Sequence, residues 1–146
     1  ITLTQFVDIV GWGGDAKDIT ITSSNATGTI QIGNTNNYVL SNLTINNSGA
    51  GGSITHNASQ TDSGIWNNLI IKVATTMNTV YAGVYNYIDS SSTASVLAGN
   101  ITGTVSNSTF GSSSCGYSSN SSITISGTIK DCSTTSMYCF GLPLAM

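Results

Sequence analysis

The sequence predicts an all-β chain wound as a parallel β-helix, with about six coils of about 24 residues each. Three observations carry this expectation. First, Gly103-Thr104-Val105-Ser106-Asn107-Ser108 lies over Gly127-Thr128-Ile129-Lys130-Asp131-Cys132 at an offset of 24, and the same offset carries Cys115 onto Cys139. Second, aliphatic and polar residues alternate with period two in short runs bounded by turn residues, the pattern of half-buried strands. Third, the composition opposes helix. Ser, Thr and Asn supply 59 of 146 residues and Gly 16 more, with six Asp, three Lys and no Glu or Arg. The charged residues that favour long helices are almost missing.

Along the chain, Ile19 and Ile21 share one face of a strand, with Thr20 and Thr22 on the other. Ile30 and Ile32 follow the Thr27-Gly28 turn. Leu43 and Ile45 alternate with Asn42 and Thr44, and Leu69, Ile71 and Val73 with Ile70 and Lys72. Later strands are expected at Ile101 and Val105 around Gly103, and at Ile123 and Ile125 after the Ser-rich stretch 111–122. Ile21, Ile45 and Ile71 step by 24 and then 26, whereas Ile71 to Val105 takes 34, which reads as an insertion. One coil cannot bury its inner face alone. Stacking at about 4.8 Å per coil solves this and gives a rod about 29 Å long. Asn47, Asn107 and Asp131 are placed at equivalent bends, where Asn and Asp tolerate left-handed backbone. Outward Thr columns are expected to join Thr20, Thr44, Thr104 and Thr128, interrupted at Ile70.

Composition also bounds function. A net charge of −3 without Arg excludes a phosphate-neutralising surface, so no nucleic-acid partner is expected. No apolar run is long enough for a membrane span. The chain, 1–146, reads as a single β-helix segment. It opens in a strand pattern at Ile1 and is still repeating near Met146, so it is expected to be part of a longer polypeptide. In-register stacking brings Cys115 and Cys139 within reach of a disulfide. They are read instead as buried free thiols acting as small hydrophobes. No Cys/His spacing indicates a metal site, and no cofactor is expected.

Phe6-Val7-Asp8-Ile9-Val10-Gly11 through Asp18-Ile19-Thr20-Ile21, then Ile30-Gln31-Ile32 and Val39 to Asn47, resembles the opening coils of right-handed parallel β-helices of the pectin-lyase-like superfamily. Ser126 to Cys132 and Cys139-Phe140-Gly141 are similar to repeats in tail proteins of bacteriophages and related viruses. The resemblance implies a virion tail fibre or tailspike-like segment, at the virion surface or otherwise extracellular. It also implies a homotrimer or other fibre subunits as partners, and a host cell-surface glycan or receptor as target.

Enzymes of that superfamily cleave polysaccharides with a carboxylate-bound Ca²⁺ and a basic residue, or with paired carboxylates. This chain has no Arg, and its Asp residues form no evident pair, so no catalytic residue is assigned. Asp15 and Asp18 read as turn formers in the Gly11-Trp12-Gly13-Gly14 bend, and His56 as a surface-loop residue. The alternative function is a polysaccharide-degrading enzyme using Asp62 or Asp89, or a cellular surface adhesin. The candidate ligand-binding residues are Tyr81, Tyr85 and Tyr87. In Val80-Tyr81-Ala82-Gly83-Val84-Tyr85-Asn86-Tyr87-Ile88 the tyrosines alternate with aliphatics, so a core-facing Val80, Val84 and Ile88 would turn them outward as a stripe for stacking on sugars or another subunit.

Overall fold

The computed structural model describes residues 1–3, 6–33, 37–56, 61–73, 80–91, 97, 99–111, 124–134, 138–139 and 142–143. Its elements are all strands. The first six are β1 (Thr2–Leu3), β2 (Val7–Val10), β3 (Thr20–Ser23), β4 (Ile30–Ile32), β5 (Tyr38–Asn47) and β6 (Ile54–His56). The middle of the chain forms β7 (Thr61–Asp62), β8 (Ile65–Ile71), β9 (Val80–Tyr81), β10 (Val84–Ser90) and β11 (Asn100–Ile101). The last are β12 (Thr104–Ser106), β13 (Thr109–Phe110), β14 (Thr128–Lys130), β15 (Ser133–Thr134), β16 (Tyr138–Cys139) and β17 (Leu142–Pro143).

Strands stack on their counterparts one coil away in three parallel sheets, which makes the molecule a parallel β-helix. The largest sheet runs β2-β5-β8-β10-β12-β14, with β3 on β5, β13 on β10 and β15 on β13. The others are β1-β4-β6 and β7-β9-β11. β16 and β17 form a separate antiparallel pair. Cys139 therefore pairs with Leu142, and Cys115 lies outside the described residues.

Coil length varies around the expected value. Successive steps in the largest sheet are 31 residues (Val7 to Tyr38), 26 (Val39 to Ile65), 19 (Ile65 to Val84), 20 (Val84 to Thr104) and 24 (Thr104 to Thr128). The 34-residue interval is corrected accordingly: it spans two different columns and marks no insertion. Ile71 stacks on Ile45, while Val105 stacks on Tyr85, which stacks on Trp66. The region read as an insertion holds the two shortest coils.

In the five rungs from β5 onward a left-handed residue turns the strand. Asn42, Asn68, Tyr87, Asn107 and Asp131 occupy this place, with φ between 49° and 54°. Asn47 does not belong to this column. It is buried at the end of β5, where its amide donates to Thr27 O (2.8 Å) and Gly52 O (3.2 Å) and its carbonyl accepts from Gly49 N (2.8 Å). The expected Thr column is also redistributed. Thr20 pairs with Thr44, but Thr104 and Thr128 continue the column of Val39, Ile65 and Val84. Thr44 is covered by the 12–18 excursion, donating to Ala16 O (2.9 Å).

The core is the column Leu40, Trp66, Tyr85 and Val105 before the bend, joined by Leu43, Leu69 and Ile88 after it. Each of the last three rungs of the largest sheet is entered through a glycine. Cβ atoms added at Gly83, Gly103 and Gly127 would sit 2.0, 2.2 and 2.1 Å from the carbonyl oxygen of the glycine one coil below. Only glycine permits rungs to approach this closely there.

Candidate functional site

The tyrosine stripe is where the structure departs furthest from alternation. Tyr81 and Tyr85 are wholly buried, and Val84 is exposed. The reason is register: Val84 stacks on outward Ile65 and Tyr85 on inward Trp66. Alternation then inverts at Tyr87, whose left-handed backbone (φ 52°) turns its ring outward and returns Ile88 to the core. Tyr81 and Tyr85 therefore cannot form an outward recognition surface, whereas Tyr87, 57% exposed, can.

Inside, the two buried tyrosines join a polar and aromatic cluster. Asp62, at the end of β7, closes an Asx turn by accepting from Gly64 N (2.7 Å) at Oδ1. Its Oδ2 accepts from the Tyr38 hydroxyl (2.6 Å) and from His56 Nε2 (2.6 Å). Tyr38 in turn accepts from Trp66 Nε1 (2.8 Å), and the Tyr85 hydroxyl donates to Asp62 O (3.0 Å). The His56 ring stacks on Trp66 (5.9 Å between centroids) and meets the edge of Tyr81 (5.6 Å). Burial, with the Asp62 charge adding to it, holds the Tyr38 and Tyr85 phenols protonated well above their usual range.

Two expectations are corrected here. His56 is no surface residue: its side chain is 2% exposed and that of Asp62 is 0%. Asp62 lies in a core strand and reaches no solvent. A His–Asp pair has the components of a general base, but a sealed one has no route to a substrate. Asp89 is exposed, and its Oδ1 accepts from Ser91 N (3.0 Å) and Ser91 Oγ (2.7 Å). Asp15 accepts from Lys17 N (3.1 Å) and Asp18 from Asp15 N (3.1 Å), the bend-forming role expected of both. Among the described residues, no group of three His, Cys, Asp or Glu is placed to hold a metal ion.

The accessible features lie outside. The outward column of the largest sheet runs Asp8, Val39, Ile65, Val84, Thr104, Thr128, and Ile65 and Val84 are both exposed. Three exposed aromatics lie on the same coils: Phe6 (75%), Trp12 (96%) and Tyr87. Phe6 also carries a left-handed backbone (φ 60°), a costly conformation for a bulky residue. It helps line a cleft of about 290 Å³ with Asp8, Asn37, Tyr38, Val39, Ser63 and Ile65. Phe6 and Trp12 were not among the candidate ligand-binding residues expected from the sequence. The signal was present in Trp12, a bulky aromatic set among Gly11, Gly13 and Gly14 with no apolar neighbour to pack on.

No protein-family model, no curated protein and no solved structure matches this chain. The fold rests on the strand pairing and the site on its own geometry.

Proposed function

We propose that this chain is a non-catalytic β-helical rod of a virion tail fibre or tailspike-like protein, and that it binds a host-surface glycan or receptor through the outer face of its largest sheet. The observation that carries the recognition half is the set of exposed Phe6, Trp12, Ile65, Val84 and Tyr87 among the described residues of the first four coils, where the His56–Asp62 pair is sealed in the core. Large aromatics at exposed positions supply contact area at little entropic cost. The viral setting, and assembly as a homotrimer, are supported by the sequence resemblance alone. The polysaccharide-degrading alternative gains nothing from Asp62, which is enclosed, or from Asp89, which is engaged by Ser91.

The test is a glycan-array and polysaccharide-turnover comparison of wild type with Trp12→Ala and Tyr87→Ala. Saturable binding to wild type is expected, with losses of about tenfold in each variant and no release of reducing ends. Sustained cleavage of any polysaccharide, or binding indifferent to both substitutions, would overturn the reading.

A further inference from the structure

The Phe6 cleft has a chemistry more specific than an apolar contact. Its single formal charge is Asp8, and none of the chain's three lysines lies among its walls. Lys17 pairs with Asp15 (3.4 Å) and Lys130 with Asp131 (3.6 Å), while the Asp8 carboxylate has no ion-pair partner among the described residues. Asp8 is nevertheless fixed in place. Its Oδ1 accepts from Val39 N (2.9 Å) on the neighbouring rung, which leaves Oδ2 with no hydrogen bond among the described residues. An immobilised carboxylate with one oxygen unused, beside an exposed aromatic ring, is a combination that favours a cation. The carboxylate accepts a charge-assisted hydrogen bond, and the ring face attracts the same positive charge. Net charge of −3 adds a weak attraction of the same sign.

We propose that this cleft binds the protonated amine of an amino sugar, with Asp8 Oδ2 accepting from the ammonium and Phe6 packing on the sugar ring. About 290 Å³ accommodates one such residue rather than an extended chain. The proposal rests on the outer face being the contact surface and names the chemistry it selects there. Phe6 supplies a reason for its own strained backbone: the left-handed conformation holds the ring out of the core at the rim of the cleft.

The experiment is an NMR titration of the ¹⁵N-labelled chain with glucosamine and, separately, with N-acetylglucosamine, which keeps the ring and removes the charge. Glucosamine is expected to shift the amides of Asp8, Val39 and Ile65 saturably, and N-acetylglucosamine to leave them in place. Asp8→Asn retains the acceptor for Val39 N, so the fold is kept. It should weaken glucosamine by about tenfold, and Phe6→Ala by about threefold. Raising the salt should weaken binding to wild type but not to Asp8→Asn. Equal shifts from both sugars, or unchanged affinity in Asp8→Asn, overturn the amine assignment and leave the contact face standing. If neither sugar moves a cleft residue while Trp12→Ala and Tyr87→Ala still weaken array binding, the cleft alone is excluded. If those variants also bind normally, both readings fall.

Discussion

Tyr87 is the residue where stability and the proposed recognition role diverge most clearly. It occupies a left-handed position that Asn42, Asn68 and Asn107 fill in neighbouring rungs. Asn tolerates this conformation through its short polar side chain, whereas an aromatic residue is strained by about 1 kcal/mol. Tyr87→Asn is therefore expected to raise the melting temperature by about 2–4 °C, measured by thermal denaturation. The same change should weaken surface binding, which is how strain retained for function differs from accidental strain. Tyr87 is exposed as alternation predicts, whereas Tyr81 and Tyr85 are buried against it, for a definite reason. A single left-handed residue inverts which face all later side chains occupy, and tyrosine does not signal that conformation as Asn or Gly does.

At the scale of the element, the entry to each strand is controlled by backbone approach. Gly103 packs directly over the Gly83 carbonyl, and an added methyl would lie 2.2 Å from that oxygen. Gly103→Ala should separate two rungs and cost about 2–3 kcal/mol in denaturant unfolding. Gly14, around which a Cβ would meet nothing within 4 Å, is the control: Gly14→Ala should leave the unfolding midpoint nearly unchanged. Two of the four stacked glycines were legible in the 24-residue repeat, at Gly103 and Gly127. Gly64 and Gly83 belong to the same column but were obscured, because their coils step by 19 and 20 residues. A fixed offset finds coils of equal length only.

Across the whole molecule, the buried cluster links several rungs. Tyr38 and Asp62 join β5 to β7, while Tyr85 ties β10 back to the Asp62 backbone. Both phenols release their protons less readily in the folded chain, chiefly because they are buried. The unfolded chain loses these protons near its ordinary value of 10.0. The unfolded state thus binds fewer protons above that pH. The stability that the protonated phenols provide is complete below it and is lost as pH rises toward the folded values. Unfolding free energy should fall above about pH 10, and Tyr85→Phe should flatten that fall when urea melts are compared between pH 8 and 11.

Local sequence was enough to specify the fold class, the mean coil length and the bend-forming role of Asn107 and Asp131. These depend on local periodicity, turn chemistry and a repeat that can be read without knowing its partners. Tertiary structure decided which columns the residues join. It buried His56, Asp62, Tyr81 and Tyr85 and left Phe6, Trp12 and Tyr87 outside. The physical reason is that inward and outward are set by pairing with the rung beside each strand. That pairing depends on coils of 19 to 31 residues and on left-handed bends that reverse the alternation.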